Sequence, residues 1–469
     1  MKNPLSLKEA GMPSDADYRE LKEIDHRHVW HPFTQMRAWM AGDPLIIERG
    51  EGNYLIDTEG RRYLDGVASL WCNVHGHRKR ELDDAIRAQL DRIAHSTMLG
   101  LANVPATLLA KELIEITPAG LSRVFYSDSG AEAVEVATRI AAQYWQLSGA
   151  PERTRFLTLA ESYHGDTIGS VSLGYSEMFH RHVRPLLFPA IKTDPPHRFR
   201  FAKGMTPEAA TRAALAAARK SIEEHGRELA ALVIEPMVQG AAGIWTHSAE
   251  YLSGIATMAR EAGALVICDE VATGFGRTGK MFASEHAGIS PDLMCLGKGI
   301  TGGYLPMAAT LATEKIFSAF LGEPEEFRAF YYGHTYTGNP LAAAAALANL
   351  KIFRDEKVIE LIQPRIAQLA EGLRDRFAPL AHAADIRQCG MMAGIELMDD
   401  PARRIPYNVE QQIGVAVTKA ARKAGVVIRP LGNVIVLMPP LAITKDELAT
   451  LLEVTRGAII EVTEANPPR

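Results

Sequence analysis

The sequence predicts an α/β protein: a large domain on a mostly parallel central sheet, and a smaller α+β domain built from both ends of the chain. Three observations predict it. Between about residues 105 and 345, short apolar runs alternate with helical stretches, and such alternation gives parallel strands covered by helices on both faces. Two of those runs deliver a charged side chain, Asp269 and Lys298, at the strand ends where open sheets bind ligands. Beyond residue 345, long helical patterns surround β-like patches, the mark of a second layer of different architecture.

The first 75 residues hold two short β-like pieces, Tyr54–Asp57 and Arg62–Asp65, between glycine-rich turns. They are too short to stand alone and are expected to pack with the C-terminal part, which divides the chain at 1–75, 76–345 and 346–469. The expected strands of the middle segment are Arg123–Ser127, Phe156–Leu159, Ala231–Glu235, Leu265–Asp269, Leu293–Leu296 and Met307–Leu311. Between several of them lie helices such as Ala131–Leu147, whose Val134, Ala137, Ile140, Ala141, Tyr144 and Trp145 recur at helical spacing. Pro207–His225 and Ser248–Gly263 are two more. In the last segment, helices are expected over roughly 340–378 and 408–424, β-structure over Ile386–Met398 and Val426–Met438, and a final helix from Thr444.

Composition narrows the class of protein. The chain has 469 residues, 47% hydrophobic and 23% charged, with a net charge of −5 and no long run of one sign, so neither nucleic acid nor a membrane surface is an expected partner. Its opening, MKNPLSLKEAGMPSDADYRE, is polar and lacks the apolar core of a signal peptide. No stretch approaches the roughly 18 uninterrupted apolar residues of a membrane span. The four cysteines (Cys72, Cys268, Cys295, Cys389) are far apart and form no C-x-x-C, as reduced thiols of a cytoplasmic protein would. The histidine pairs His26/His28, His75/His77 and His180/His182 lack a motif such as H-E-x-x-H, so no metal is expected.

The candidate chemistry starts at Asp269 and Lys298. Alone, an acid after an apolar run reads as a loop entry or a salt-bridge partner, and a lysine between two glycines reads as an exposed turn. Together, on neighbouring strand ends, they are the pair that pyridoxal phosphate (PLP) requires: a lysine for the Schiff base and an acid for the pyridine nitrogen. The run Gly274–Lys280 satisfies G-x-G-x-x-G and most of a nucleotide-binding pattern, yet Glu270-Val271-Ala272-Thr273 separate it from its strand and Met281 offers no hydroxyl to magnesium. It is expected to be a loop lining the pocket. Ser127-Asp128-Ser129-Gly130-Ala131 joins a strand to a helix start, a place for a phosphate or for an ordinary N-cap. Tyr163-His164-Gly165 follows the strand Phe156–Leu159, where an aromatic ring can lie on a cofactor or simply belong to a loop. Arg429, between two apolar runs, needs an acidic partner, which a substrate carboxylate or a protein acid would supply.

Asp269-Glu270-Val271, the Gly274–Lys280 loop, Lys298 and Gly338-Asn339-Pro340 together resemble the class III aminotransferases of PLP fold type I, over essentially the whole chain. Val29–Met36, Trp71–His77 and His334–Pro340 further resemble the branch of that family that transfers an amino group onto 8-amino-7-oxononanoate in biotin biosynthesis. The resemblance implies a catalytic set of Lys298, Asp269 and Tyr163. It implies that Gly130, Ala131, Tyr163, His164, Glu235, Asp269, Val271, Lys298 and Thr335 bind the cofactor, with Thr335 reaching in from a second subunit of a homodimer. Phe33, Leu70, Trp71, Arg277 and Gly333 would line the substrate pocket, and Arg429 would receive the acceptor's carboxylate.

Three positions depart from the pattern. Phe33 stands where users of S-adenosylmethionine carry Tyr, Leu70 where they carry Trp, and Ala131 where many relatives carry Ser. Loss of a phenol and an indole weakens the case for S-adenosylmethionine and favours lysine as the small-molecule donor. The rival readings are a broad ω-amine aminotransferase, a PLP aminomutase, a PLP-binding regulator, and a nucleotide-binding protein built on Gly274–Lys280.

Overall fold

A computed structural model describes residues 18–465 of the chain. The polar N-terminal opening, as far as residue 17, lies outside the described residues.

The central sheet has seven strands, ordered Leu121–Ser127, Ala308–Thr313, Leu293–Leu296, Leu265–Asp269, Leu229–Ile234, Arg155–Leu159 and Ile191–Thr193. Only Ala308–Thr313 runs against its neighbours; the other pairings are parallel. Parallel strands covered on both faces read as unbroken apolar runs, and Leu229–Ile234 and Leu265–Asp269 are buried at every residue. The helix Gly130–Leu147 lies along one face and packs on five of these strands through residues that include Val134, Ala137 and Ile140. Ala249–Glu261 and Pro207–His225 cover the other face. Every expected strand of this sheet is present; the edge strand Ile191–Thr193 was not expected, because three residues are too few to show a period.

Strands from the two ends of the chain share a second sheet. Ile47–Glu51, Tyr54–Asp57 and Arg62–Asp65 form a meander whose last strand pairs in parallel with Val426–Val427. A third sheet joins the hairpin Ala383–Cys389/Met392–Asp400 to Val434–Leu437 and Arg429–Leu431. The helix Lys445–Glu464, capped by Thr444 and Glu447, packs against the helices Val358–Gly372 and Ile413–Lys423. The expected helix over 340–378 is two helices, Pro340–Asp355 and Val358–Gly372. They are broken where Lys357 takes a left-handed conformation (φ 50°).

The Gly274–Lys280 run is a chain of turns and opens no helix. Its two flanks are tied together by Glu270, whose buried carboxylate accepts from Thr273 Oγ1 (2.6 Å) on one side and from the amides of Ala283 (3.0 Å) and Ser284 (2.7 Å) on the other. Among the described residues no helix is long and apolar enough to cross a membrane.

Candidate active site

Five chain segments converge at the C-terminal ends of the parallel strands. Asp269 ends its strand, buried, with one carboxylate oxygen 2.7 Å from His164 Nδ1 and the other accepting from the Val271 amide at 3.0 Å. His164 Nε2 is buried and has no hydrogen-bond partner among the described residues. Beside them the helix Gly130–Leu147 begins. Ser129 and Glu132 close a reciprocal cap there, with Glu132 accepting from the amides of Asp128 (2.8 Å) and Ser129 (2.9 Å). Among the described residues the amides of Gly130 and Ala131 have no hydrogen-bond partner. The backbone packs too tightly here for side chains. A Cβ on Gly130 would lie 2.3 Å from Val271 Cγ1, and one on Gly165 (φ 117°) 2.3 Å from Ala131 Cβ.

Lys298 begins a single 3-10 turn, Lys298–Thr301, in a left-handed conformation (φ 44°) that a non-glycine residue holds only where its surroundings impose it. Its Nζ lies 5.7 Å from the ring centre of Trp71 and, among the described residues, makes no hydrogen bond or ion pair. Burial lowers the pKa of this amine from its ordinary value, more strongly than the carboxylates of Asp269 and Glu235 raise it. Its neutral form is therefore easier to reach than that of a surface lysine.

Glu235, immediately after the strand Leu229–Ile234, is buried and accepts from the amides of Tyr163 (3.0 Å) and Gly240 (2.8 Å). Burial, reinforced by Asp269, raises its pKa to about 7. A carboxyl whose folded pKa stands above its unfolded value contributes stability below about pH 4.5 that is lost as pH rises through about 7. Thermal unfolding of the cofactor-free protein should therefore show a loss on the order of 3 kcal/mol across that range that Glu235→Gln removes. An equally steep loss in the glutamine variant would assign the dependence to other groups.

Trp71 is carried by an unusual turn. Ala68, Ser69, Leu70 and Trp71 all have positive φ (49°, 57°, 121° and 68°), a strained run that sequence patterns did not foretell. The buried carboxylate of Asp65 holds it, accepting from Ser69 through the amide (2.9 Å) and the hydroxyl (2.7 Å), with His77 behind it at 3.1 Å. The result is a buried indole facing Lys298 and a half-exposed Leu70 next to it.

The remaining predicted residues are more dispersed. Tyr163 bonds Asp166 through its hydroxyl (2.6 Å), and its ring stacks on His180 at 6.4 Å. Arg277 is fully buried, donating to the carbonyls of Pro439 (2.6 Å) and Asn73 (2.7 Å), and burial lowers its pKa to about 10. Arg429 is half-buried beside Tyr163, and its guanidinium has no hydrogen bond or ion pair among the described residues. Phe33 is exposed, edge-on to Phe179 at 5.9 Å, and Gly333 and Thr335 are exposed. Of the histidine pairs, His75 bonds Asn349 and His77 bonds Asp65.

This donor set fits a phosphorylated pyridine aldehyde. There is a carboxylate at the strand end, an unpaired amine across from it, two free amides at a helix start for a phosphate, and glycines that clear the space between.

A family model described as aminotransferase class-III matches residues 37–459. The chain is 53% identical to an adenosylmethionine-8-amino-7-oxononanoate aminotransferase of Nitratidesulfovibrio vulgaris, across 95% of this chain and 82% of that protein. It superposes with a TM-score of 0.90 and 46% identity on the crystal structure of a protein of the same name from Methanocaldococcus jannaschii, covering 95% of this chain and 99% of that one. An omega transaminase from Pseudomonas jessenii, solved in complex with PMP, gives a TM-score of 0.91 at 31% identity, covering 95% of this chain and 98% of that one. The chain belongs to the class III aminotransferases, enzymes that depend on pyridoxal phosphate.

Proposed function

We propose that this aminotransferase moves an amino group onto the ketone of 8-amino-7-oxononanoate, giving 7,8-diaminononanoate for biotin biosynthesis in the cytoplasm. The observation that carries the acceptor is Arg429. A half-buried guanidinium beside Tyr163, with no hydrogen bond or ion pair among the described residues, is suited to a substrate carboxylate bound through two hydrogen bonds. The names of relatives around half identical over nearly the whole chain support the same acceptor.

In this reading Lys298 Nζ would hold the cofactor, Asp269 would pair with its pyridine nitrogen, and Gly130 and Ala131 would take its phosphate through their amides. Tyr163 and Val271 would pack against its ring. Thr335, exposed on one protomer, adds its hydroxyl to the phosphate of a neighbouring copy, so the working enzyme is a homodimer with two composite sites. When bound, the cofactor is an electron sink for the carbanion formed at the substrate carbon. His164 holds Asp269 in place and Glu235 fixes the amide of Tyr163. Lys298 Nζ takes a proton from the amino-bearing carbon of the donor and returns it across the same site. That traffic requires a neutral amine, which burial favours. Trp71 covers Lys298 on one side. The donor leaves as an oxo compound, and the acceptor ketone then collects the nitrogen.

L-Lysine is the proposed donor in preference to S-adenosylmethionine, because Phe33 offers no phenol and Leu70 no flat indole. Purified enzyme given the acceptor with either donor should form diaminononanoate with lysine. Product with S-adenosylmethionine alone would reverse the reading of Phe33 and Leu70, and turnover of simple amines without either product would place the enzyme with the broad ω-amine transaminases. In the productive assay, Arg429→Gln should raise KM for the acceptor roughly 10- to 100-fold with little change in kcat. An unchanged KM would remove Arg429 from the acceptor site.

A further inference from the structure

The turn that begins at Lys298 is built from flexible parts. Gly297, Gly299, Gly302 and Gly303 surround it, the last two at positive φ (65° and 86°). Such a sequence does not hold a lysine in one place unaided. One side chain from a distant helix does. Asn349, on Pro340–Asp355, is fully buried, and its Nδ2 donates to the carbonyls of Gly299 (2.9 Å) and Ile300 (3.0 Å). Because carbonyls only accept, the amide orientation is determined, and Oδ1 must face His75 Nε2 at 2.8 Å. His75 therefore donates from Nε2, and burial pushes its pKa down to about 4, keeping the ring neutral. The rest of the helix's buried face is apolar apart from this residue, with Ala342, Ala343, Ala345, Ala346 and Leu350. A buried amide costs free energy unless its hydrogen bonds are made, and every bond this amide makes serves the Lys298 turn or His75.

We propose that Asn349 and His75 are positioning residues for Lys298. Asn349 ties down the carbonyls immediately after the lysine, and His75 ties that amide to the Trp71–His77 segment that forms the opposite wall. Lysine and indole are thereby held in mutual register. This inference rests on the reading of Lys298 as the cofactor lysine.

The test uses holoenzyme with Asn349→Leu, similar in size but without donors, and His75→Phe, which retains ring packing on Phe353 (5.2 Å). The readouts are PLP retention, the pH midpoint of the visible band of the lysine-bound cofactor, kcat, and the Tm of the cofactor-free protein. Asn349→Leu should weaken PLP retention and kcat by about tenfold or more, and move the midpoint by about half a pH unit, with KM for the acceptor within roughly twofold. His75→Phe should act in the same direction but less, and the double variant should be no worse than Asn349→Leu, because the histidine works through the amide. A lowered Tm with wild-type midpoint and PLP retention would overturn the proposal and leave Asn349 a packing residue. If Asn349→Leu does not fold, Asn349→Ser, which keeps one donor, is measured identically, and wild-type values in that folded variant overturn it equally. Borohydride reduction and peptide mapping of the wild-type enzyme separate the two readings. A label away from Lys298 removes the assignment of that lysine, whereas a label on Lys298 with an unaltered Asn349→Leu midpoint removes only the positioning role.

Discussion

Lys298→Ala should lose transamination by on the order of 10⁴-fold or more, because one amine serves both as the covalent holder and as the proton carrier. The geometry makes substitution from within the site difficult. Among the described residues, Arg277 is the basic group that couples to Lys298, and its guanidinium is committed to the carbonyls of Pro439 and Asn73. Stability should move the other way. The Lys298 amine is buried with no hydrogen bond or ion pair among the described residues, so removing it should leave the Tm of the cofactor-free protein unchanged or slightly raised. Lys298→Arg should be as inactive, since a guanidinium stays charged at any working pH. Steady-state rates together with borohydride labelling check both. Substantial turnover by Lys298→Ala would sink the mechanism.

Asp269→Asn is the second large effect, expected to lower kcat by on the order of 10² to 10³. The substitution is informative because it separates structure from electronics. An asparagine Oδ1 still accepts from one of the two present donors, His164 or the Val271 amide, and its volume is the same, so a purely structural aspartate would be largely rescued. A carboxylate needed to keep a pyridine nitrogen protonated would not be, since the charge itself is lost. The expected result is a folded, PLP-binding protein with weakened retention of the cofactor and a low kcat. A variant with near wild-type kcat would reduce Asp269 to a holder of His164.

The contrast between what was legible and what was not follows from range. Asp269 and Lys298 were readable because each closes a buried apolar run, and a strand's end has a defined place in an open sheet. Glu270, the next residue, illustrates the limit. Nothing in Asp-Glu says which carboxylate faces the site, yet strand alternation sends Asp269 to His164 and Glu270 to the amides of Ala283 and Ser284. The Gly274–Lys280 run carries a phosphate-binding pattern, but its glycines serve turns packed on Leu441, Ile359 and Ile366.

The sequence by itself determined the architecture, because apolar periodicity and strand-end residues act over a few positions and survive without knowledge of partners, while the family came from the resemblance of its motifs to the class III aminotransferases. Only the tertiary structure decided how the parts are held. The Asp65–Ser69 clamp forces four non-glycine residues into positive φ, and Asn349 reaches Gly299 and Ile300 across about fifty positions of sequence. Both depend on a buried polar group finding a partner far along the chain. The free energy of that pairing exists only once water has been excluded, so no local pattern announces it.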